Sequence, residues 1–562
     1  MGRPISRQDR QDPRRPGFRA GRAAPLSAVG LVLAGLFFLA ALTPSLLPRD
    51  PVMQGVLAGV LATIGHEIGV ACAWLWRFLG LPVPARRGRL LAAGAAVAVS
   101  AVGYGLSRAA DWQDATRRMM GLDPVDAVYP LTIAGTGLAV ALGLFVLARL
   151  FGVATRRAGR VLGRVVPPRV GLVIGVAVVG WLFWAVIDGV VLRRVLDLAD
   201  ASFAAADALM DPDTPAPADP NRTGSAASLV AWDEMGRWGR SYVTRTPGAD
   251  EIAAFAGPDA MAPLRVYVGR RAAATPEDRA EIALAELIRQ GGFDRAALVV
   301  TVPVGTGWMD PGAHDTLDFM LGGDVATVSV QYSYLTSVLS LWVAPEAGIA
   351  QARALFDAVY DHWTTLPRDA RPKLYVHGLS QGAFNTQIAL PLLDILADPI
   401  DGAMWAGSPF LSPLWQHVRD NRRPDSPEWR PRFGNGSLVR VANQQGGLDR
   451  FNAEWGPMRL VFLHYGTDAI VSFTFDSGLR RPGWMAPPRA FDVAPEFRWF
   501  PVVTMFQLAL DMAISLQVPG YGHFYIAPDY IDAWAAVVEP EGWTPDRAAE
   551  LKAIFAARPA PF

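Results

Sequence analysis

A serine at the apex of a strand–turn–helix pattern is the feature of this sequence best suited to covalent chemistry. Ser380 lies in Gly378-Leu379-Ser380-Gln381-Gly382, between the apolar run Lys373–His377 and a helix-like segment that opens at Ala383. Small residues two positions before and two positions after the serine suit a sharp backbone turn packed against neighbouring chains. This arrangement is a nucleophile elbow, and it predicts that Ser380 is a nucleophile.

An acid and a base follow the serine along the chain. Asp468 comes shortly after the apolar run Arg459–Tyr465, and His523 lies in the glycine-flanked loop Pro519–Phe524. Serine, then acid, then histidine is the chain order of α/β-hydrolases. In such a triad the histidine takes the proton of the serine, and the acid orients the imidazole. We therefore predict that Ser380, Asp468 and His523 are the catalytic residues.

Other residues compete for these roles. His464 is the alternative base, although its position in a strand favours a place in the core or beneath a cap. Asp476 is the alternative acid. His377 precedes the serine by three positions and is interpreted as a packing residue or a neighbour of the site. His523 is favoured because it is the only histidine C-terminal to Asp468.

Acyl transfer also needs donors for the negative charge that develops on the carbonyl oxygen. We predict an oxyanion hole built from the backbone N–H of Gln381 and from a donor in Gly305, Thr306 or Gly307, directly after the apolar run Ala297–Val304. Glycines in this loop let the backbone approach the developing charge. The sequence leaves the particular donor of the loop open.

Short apolar runs alternate with helix-like segments across the second half of the chain. This alternation predicts an α/β domain with a mostly parallel sheet, in which sites form at the carboxyl ends of the strands. The predicted strands are 264–268, 297–304, 326–332, 374–377, 402–406 and 460–465, and the predicted helices lie near 275–290, 345–364, 381–396 and 530–538.

Two aromatic-rich segments follow the predicted nucleophile helix. The Trp-, Arg- and Pro-rich stretch 407–455 predicts a cap insertion over an apolar pocket. The second stretch, 484–501, leads into the apolar segment 502–518. Because that segment is short and contains Gln507 and Asp511, it is interpreted as a buried or cap helix rather than as a membrane span.

The first third of the chain predicts a helical membrane domain. Hydrophobic residues make up 51% of the 562-residue chain and charged residues only 19%, a composition that suggests membrane content. Five stretches are close to the ~20 apolar residues that cross a bilayer. They lie near 26–47, 53–76, 90–107, 131–151 and 170–192. The third is the shortest and consists mainly of Ala, Gly and Val, so it inserts weakly alone but packs well against neighbours.

Arginine placement predicts the orientation of these helices. The first 24 residues carry seven arginines, and the second and fourth connections carry further arginine clusters. The first connection offers only Arg49, and the third sets three arginines against four aspartates. Arginine-rich segments remain in the cytoplasm. Five spans then place everything after about residue 195 on the outer side of the cytoplasmic membrane, and loss of the third span would reverse this outcome.

These patterns predict four regions and a few single-residue features. The regions are a basic cytoplasmic N-terminus (1–25), a transmembrane domain (26–195), an Ala-, Asp- and Pro-rich linker (196–228) and an α/β-hydrolase catalytic domain (229–562). The single cysteine, Cys72, excludes an intramolecular disulfide and is interpreted as a small hydrophobic residue. His66-Glu67 in the second predicted span indicates either proton or substrate handling or a structural pair inside the bundle.

Several stretches together resemble a bacterial family of membrane-anchored α/β-hydrolases, which joins an N-terminal multi-span domain to a C-terminal catalytic domain. This family usually has Glu and Leu around its elbow serine, where this chain has Leu379 and Gln381. The serine and the outer glycine are kept. The resemblance implies serine-hydrolase chemistry. The matching stretches are Ser45–Arg49, Gln54-Gly55, Trp232–Arg237, Gly239-Arg240, Gly305–Pro311, Gln331–Tyr334 and Pro519–Tyr525.

Two classes of function fit these residues. The first is a serine hydrolase that cleaves lipidic or membrane-delivered esters through an acyl-enzyme, with acyl transfer to another alcohol as a close variant. The second is a membrane interaction or transport protein with a hydrolase-like binding domain, which would not need all three triad residues. We expect the lipid bilayer and a small-molecule or lipidic ester as partners, and no cofactor or metal. Zero net charge gives no reason to expect nucleic acid.

Overall fold

Five helices occupy the N-terminal third of the chain. The structure is a computed structural model, and it describes residues 27–83, 86–163, 167–184, 202–210, 214–337, 340, 345–451 and 453–558. The helices are α1 (Ala28–Ala41), α2 (Pro51–Phe78), α3 (Arg87–Met119), α4 (Tyr129–Leu162) and α5 (Pro168–Trp184). A helix therefore coincides with each predicted span. The basic N-terminus 1–25 and the end of the fifth predicted span, 185–192, lie outside the described residues.

Three of these helices meet the requirements for crossing a membrane. Helices α2, α3 and α4 have 28, 33 and 34 residues and are long and apolar enough to span a bilayer. Helix α1 is shorter, with 14 residues, and the described part of α5 has 17. The three long apolar helices are compatible with membrane association, and five spans stay a prediction.

Small residues let the helices of this region approach closely. A Cβ atom on Gly59 of α2 would lie 2.5 Å from the carbonyl oxygen of Gly137 in α4. A Cβ on Gly94 of α3 would lie 2.7 Å from the carbonyl oxygen of Ala28 in α1. Small residues are typical of helix contacts in membranes, where backbones pack directly against each other. The Ala- and Gly-rich composition of α3 therefore serves its packing.

The second half of the chain contains a seven-stranded sheet. All six neighbouring pairs are parallel, and the strand order is β1-β3-β2-β4-β5-β7-β6. The mostly parallel sheet predicted from the sequence is confirmed. The strands are β1 (Leu264–Val268), β2 (Ala297–Val302), β3 (Val325–Val330), β4 (Lys373–Leu379), β5 (Gly402–Ala406), β6 (Val439–Ala442) and β7 (Arg459–Leu463).

Strand β6 was not among the predicted strands. It lies inside the stretch 407–455, which the sequence assigned to a cap insertion, and it forms an edge of the main sheet beside β7. With only four residues, it shows too short an alternation to stand out. Arg440 interrupts its apolar residues, and this arginine is buried with its guanidinium over the ring of Trp455.

Helices cover both faces of the sheet. Successive residues of a strand point to opposite faces. Accordingly, Leu298 and Val300 belong to one hydrophobic cluster, and Ala297 and Val299 belong to another. The remaining helices are α6 (202–208), α7 (Gly236–Thr244), α8 (Ala249–Ala256), α9 (Pro276–Arg289), α10 (Pro311–Met320), α11 (Pro345–Thr365), α12 (Gln381–Ala389), α13 (Leu392–Ala397), α14 (Pro413–Asp420), α15 (Ala469–Ser472), α16 (Val503–Ala513), α17 (Ala527–Val538) and α18 (Pro545–Ala556).

The chain forms two compact units that are interleaved in sequence. One contains the described residues of Met1–Leu39, Gln54–Ser107 and Pro130–Arg193, and the other those of Ala40–Met53, Arg108–Tyr129 and Arg194–Phe562. The boundaries predicted from the sequence are linear. They differ from the spatial units because the α1–α2 and α3–α4 connections bury apolar side chains in the second unit. Leu46, Leu47 and Met120 belong to a cluster that includes Leu508 of α16.

Two segments of uncertain character in the sequence pack within this second unit. Helix α16 buries Gln507, Leu508 and Asp511, which agrees with the interpretation of 502–518 as a buried helix. In the predicted linker, Thr223 is buried, and its hydroxyl donates to the carbonyl oxygen of Arg265 at 2.9 Å. The C-terminal part of the predicted linker therefore packs against the sheet domain.

Candidate active site

Ser380 lies at a strained turn between β4 and α12. Its backbone angles are φ 57° and ψ −123°, a conformation that non-glycine residues rarely adopt. A Cβ on Gly378 would lie 2.4 Å from the carbonyl carbon of Gly382, and a Cβ on Gly382 would lie 2.1 Å from the carbonyl oxygen of Val302. The two glycines of the motif are thus required by space. The predicted strand, sharp turn and helix are present.

The end of β5 connects this turn to the predicted base. The backbone N–H of Ser380 donates to the carbonyl oxygen of Ala406 at 3.0 Å. The next residue, Gly407, has a φ of 55°, and a Cβ there would lie 2.3 Å from Cε1 of His523. The imidazole of His523 therefore lies against Gly407, and the preceding residue, Ala406, is hydrogen-bonded to Ser380. Ser380 and His523 are 4% and 6% exposed, so little water reaches either group.

Asp468 and His523 form a hydrogen-bonded pair. Asp468 follows β7 and is fully buried at the start of α15, where its Oδ1 accepts from the N–H of Ile470 at 2.9 Å. Its Oδ2 lies 2.7 Å from Nδ1 of His523. The acceptor assigns the proton to Nδ1, which leaves the lone pair on Nε2. Among the described residues, Nε2 has no hydrogen-bond partner although it is buried. This is the tautomer that a general base requires.

The structure separates the competing residues from this pair. Asp476 is exposed in the turn Phe475–Gly478, and within the described residues its side chain makes no hydrogen bond with His523. His464 is buried against Trp415, with a ring separation of 4.1 Å, and its Nε2 accepts from the N–H of Ser408. His377 contacts the carbonyl oxygen of Met404 through Nδ1 at 2.8 Å, and burial lowers its pKa to about 4. Both histidines lie in the core.

Sequence reasoning missed a second donor to the acid. The hydroxyl of Tyr525 donates to Oδ2 of Asp468 at 2.7 Å, so this oxygen accepts two hydrogen bonds. Burial raises the pKa of the Tyr525 phenol well above its ordinary value, and the Asp468 charge acts in the same direction. The tyrosine therefore stays a neutral donor. Its position two residues after His523 is the only signal for it in the sequence.

A second network joins the acid loop to the histidine loop. Oδ2 of Asp492 accepts from both the N–H and the hydroxyl of Thr467, each at 2.9 Å. The same hydroxyl accepts from the N–H of Gly522 at 3.0 Å. Thr467 and Gly522 directly precede Asp468 and His523. The network therefore fixes the spacing of the two loops, and no local pattern in the sequence indicates it.

The loop after β2 narrows the choice of oxyanion donor. The N–H of Gly305 donates to the hydroxyl of Ser337 at 3.1 Å, and the N–H of Gly307 donates to the carbonyl oxygen of Val304 at 2.8 Å. Within the described part of the chain, the N–H of Thr306 has no acceptor. Gln381 is the first residue of α12, so its N–H has no partner within the helix. The backbone N–H groups of Thr306 and Gln381 are therefore the candidates for donating to an oxyanion.

Hydrogen bonds to the carbonyl groups hold this loop in place. Gln331 donates from Nε2 to the carbonyl oxygen of Thr306 at 3.1 Å, and the Tyr267 hydroxyl donates to that of Gly307 at 2.8 Å. Asp310 caps α10 and accepts from the Tyr530 hydroxyl at 2.9 Å, while burial raises its pKa to about 7. The Gly305–Pro311 stretch is thus anchored from two sides.

Two clefts of the second unit lie apart from these groups. A cavity of about 430 Å³ is lined by residues of the predicted cap, with Trp429, Phe451 and Phe491 beside four arginines. A second cleft is lined by Arg270, Arg271 and Arg279 with two tyrosines. Neither lining includes Ser380 or His523. The cavity among the predicted cap residues is partly polar, and the apolar pocket under the cap stays a prediction.

A parallel sheet with a nucleophile elbow at the end of β4, an acid after β7 and a histidine in a later loop defines the α/β-hydrolase class. The comparisons with known families agree. A profile described as the alpha/beta-hydrolase family matches residues 264–551, and the profile for the N-terminus of this family matches residues 42–247. The chain belongs to this alpha/beta-hydrolase family, which indicates a hydrolase-like function. No curated protein matched the chain.

Proposed function

We propose that this protein is a membrane-anchored serine hydrolase that cleaves carboxylic esters through Ser380, His523 and Asp468. One observation carries the proposal: Nδ1 of His523 is held 2.7 Å from Asp468, while its Nε2 is buried without a partner among the described residues. A solvated histidine would bond water through Nε2, and a histidine with only a packing role is not expected to keep one ring nitrogen on a carboxylate and the other without a partner. The strained conformation of Ser380 supports the same conclusion.

The mechanism follows from these positions. Nε2 of His523 accepts the proton of the Ser380 hydroxyl as Oγ attacks the ester carbonyl carbon. Asp468 stabilises the imidazolium, and the N–H groups of Gln381 and Thr306 donate to the oxyanion. The intermediate collapses when the alkoxide leaves and takes the proton from His523. Water then repeats the sequence on the acyl-enzyme and releases the acid.

The substrate class is proposed from the membrane domain. Three long apolar helices are compatible with a protein held at a bilayer, where esters of lipids are concentrated. Acyl transfer to an alcohol other than water uses the same residues.

We propose that the second compact unit, which contains Ser380, Asp468 and His523 and is named the catalytic unit, faces the outside of the cytoplasmic membrane. The α1–α2 and α3–α4 connections belong to the same compact unit as the sheet domain. If each apolar helix crosses the bilayer, these two connections lie on one side, and the catalytic unit must share it. They are also the connections poor in arginine or balanced by aspartate, so they fit the side opposite the cytoplasm.

Hydrolysis of p-nitrophenyl esters of increasing chain length tests the proposed activity. We expect the purified full-length protein to hydrolyse at least part of the series and Ser380→Ala to reduce hydrolysis to the uncatalysed level. Ser412→Ala is the matched control, because Ser412 is buried like Ser380 and its hydroxyl has no partner in the described structure. Retained hydrolysis in Ser380→Ala would place the nucleophile elsewhere. Adding a long-chain alcohol and measuring ester formation separates transfer from hydrolysis.

A further inference from the structure

A residue in the connection between α1 and α2 forms a buried ion pair with a residue of α16. Arg49 contacts Oδ1 of Asp511, on α16, through both Nε at 3.2 Å and Nη2 at 3.1 Å. The hydroxyl of Ser45 donates to the same oxygen at 2.8 Å, and the N–H of Leu46 donates to Oδ2 at 3.0 Å. The charged side chains of Arg49 and Asp511 are both fully buried. We call Ser45, Leu46, Arg49 and Asp511 the clamp.

The clamp is a specific contact rather than a surface ion pair. Burial raises the pKa of Asp511. The Arg49 charge and the hydrogen bonds from the Ser45 hydroxyl and the Leu46 N–H act in the opposite direction. Removal of one member of such a buried pair leaves the other charge without compensation, which is strongly unfavourable. The connection is therefore fixed on α16 in one geometry. Ser45, Leu46 and Arg49 each lie more than 460 positions before Asp511 in the sequence.

The segment directly after α16 is hydrogen-bonded to the histidine loop, so α16 and this loop are held together. The carbonyl oxygen of Ser515, four residues after Asp511, accepts the backbone N–H of His523 at 2.8 Å. A Cβ on Gly522 would lie 2.6 Å from that same oxygen and 3.1 Å from Cδ1 of Leu47. Leu47 therefore packs directly against the residue that precedes His523.

The segment 108–129, from the last part of α3 to the first residue of α4, strengthens the same assembly. The backbone N–H of Arg49 donates to Oε1 of Gln113 at 3.0 Å, and the Tyr129 hydroxyl donates to the carbonyl oxygen of Arg49 at 3.0 Å. The Tyr521 hydroxyl donates to the carbonyl oxygen of Met119 at 3.0 Å. The α1–α2 connection and the segment 108–129 thus both contact the loop Pro519–Phe524.

We propose that the α1–α2 connection is a positioning element for His523, with Leu47 and the clamp holding the histidine loop in its catalytic geometry. The inference rests on the proposed role of His523. It means that the catalytic centre is completed by chain segments that lie between the apolar helices, rather than by residues 229–562 alone. Leu47, Arg49 and Asp511 are positioning residues, because they act through His523 and touch no reacting atom.

Leu47→Ala and Arg49→Lys test this proposal in the full-length protein. Leu47→Ala removes the contact with Gly522 and leaves every charge in place, and Arg49→Lys keeps the charge but loses the two-point contact with Asp511. We expect each to lower kcat by about tenfold or more with KM changed less than about threefold. The rate of labelling by a fluorophosphonate should fall by the same factor. Leu47→Met, which keeps the volume, should restore kcat.

Leu122→Ala is the matched control, because Leu122 packs in the same cluster from the other connection. It should keep kcat near the wild-type value. The assay temperature is one at which thermal unfolding curves show that all variants are folded. Equal kcat losses in Leu47→Ala and Leu122→Ala, or losses that only follow the unfolded fraction, would overturn the positioning role. Should Leu47→Ala not accumulate, Leu47→Val gives the same comparison. A wild-type protein that is folded but unreactive would overturn the proposed function instead.

Discussion

Two hydrogen bonds converge on Oδ2 of Asp468, one from Nδ1 of His523 and one from the hydroxyl of Tyr525, and each is 2.7 Å long. The other oxygen accepts the N–H of Ile470. The carboxylate is thus fully engaged, and it selects the tautomer of the imidazole. No arginine or lysine among the described residues forms an ion pair with Asp468, so these three hydrogen bonds stabilise the buried carboxylate.

Asp468→Asn should reduce kcat by about 10⁴-fold, because an amide that donates toward Nδ1 favours the tautomer with the proton on Nε2. Asp476→Asn provides the comparison, since Asp476 is exposed in a turn. Steady-state ester hydrolysis of the two variants, with thermal unfolding as the check on folding, measures the effect. Near wild-type turnover in Asp468→Asn together with an inactive Asp476→Asn would make Asp476 the acid.

The three triad candidates could be predicted because each has a local or ordered signal. Ser380 is flanked by glycines between a strand and a helix, and an acid and a single remaining histidine follow it. Tyr525 and the Thr467–Asp492 contact had no such signal. They join loops separated by 57 and 25 positions, and hydrogen bonds across such distances leave no periodicity in the sequence.

At the scale of elements, the turn after β5 is as constrained as the elbow itself. Gly407 has a φ of 55°, and any Cβ at this position would overlap the imidazole of His523. The carboxyl ends of β4, β5 and β7 supply Ser380, Gly407 and Asp468 respectively. A parallel sheet brings these three ends to the same edge.

Gly407→Ala should lower kcat by at least about 100-fold, because the added methyl group would lie 2.3 Å from Cε1 and must displace the ring. Gly434→Ala is the matched control, with a φ of 54° and no atom within 4 Å of the added Cβ. Both substitutions carry a similar backbone cost of roughly 1 kcal/mol. Ester hydrolysis and thermal unfolding measure the pair. Similar activities of the two variants would show that the ring has room to move.

The strands other than β6 could be predicted because buried parallel strands appear as short continuous apolar runs. Strand β6 has four residues with a buried arginine among them, so its role as an edge strand depends on pairing with β7. Helix α16 was interpreted correctly because Gln507 and Asp511 are incompatible with an isolated apolar span. Their partners, on the connection that contains Ser45 and Arg49, could not be found from the pattern of α16 itself.

For the whole molecule, the linear order of domains does not describe the compact units. Short connections between apolar helices usually contain polar residues and turn residues. Here they also carry Leu46, Leu47 and Met120, which are buried in the second unit. Their long-range contacts were not predictable from hydropathy, which reports only how apolar each segment is.

The proposed topology predicts which positions a membrane-impermeant maleimide reaches in intact cells. In a Cys72→Ser background, a single cysteine at exposed Ala127 of the α3–α4 connection and one at exposed Glu277 of the catalytic unit should both react. A cysteine at exposed Arg87, the first residue of α3 beside the arginine-rich second connection, should react only after permeabilisation. Reaction at Arg87→Cys alone would reverse the orientation. Opposite behaviour of Ala127→Cys and Glu277→Cys would contradict the shared side.

The site of covalent labelling is the measurement that most directly tests whether Ser380 is a nucleophile activated by His523. The purified full-length protein is treated with a fluorophosphonate, digested and analysed by mass spectrometry. We expect the phosphonyl group on Ser380, no adduct in Ser380→Ala, and strongly slowed labelling in His523→Ala. An adduct on another residue, or a folded wild-type protein that takes up no label, would contradict the proposed role of Ser380.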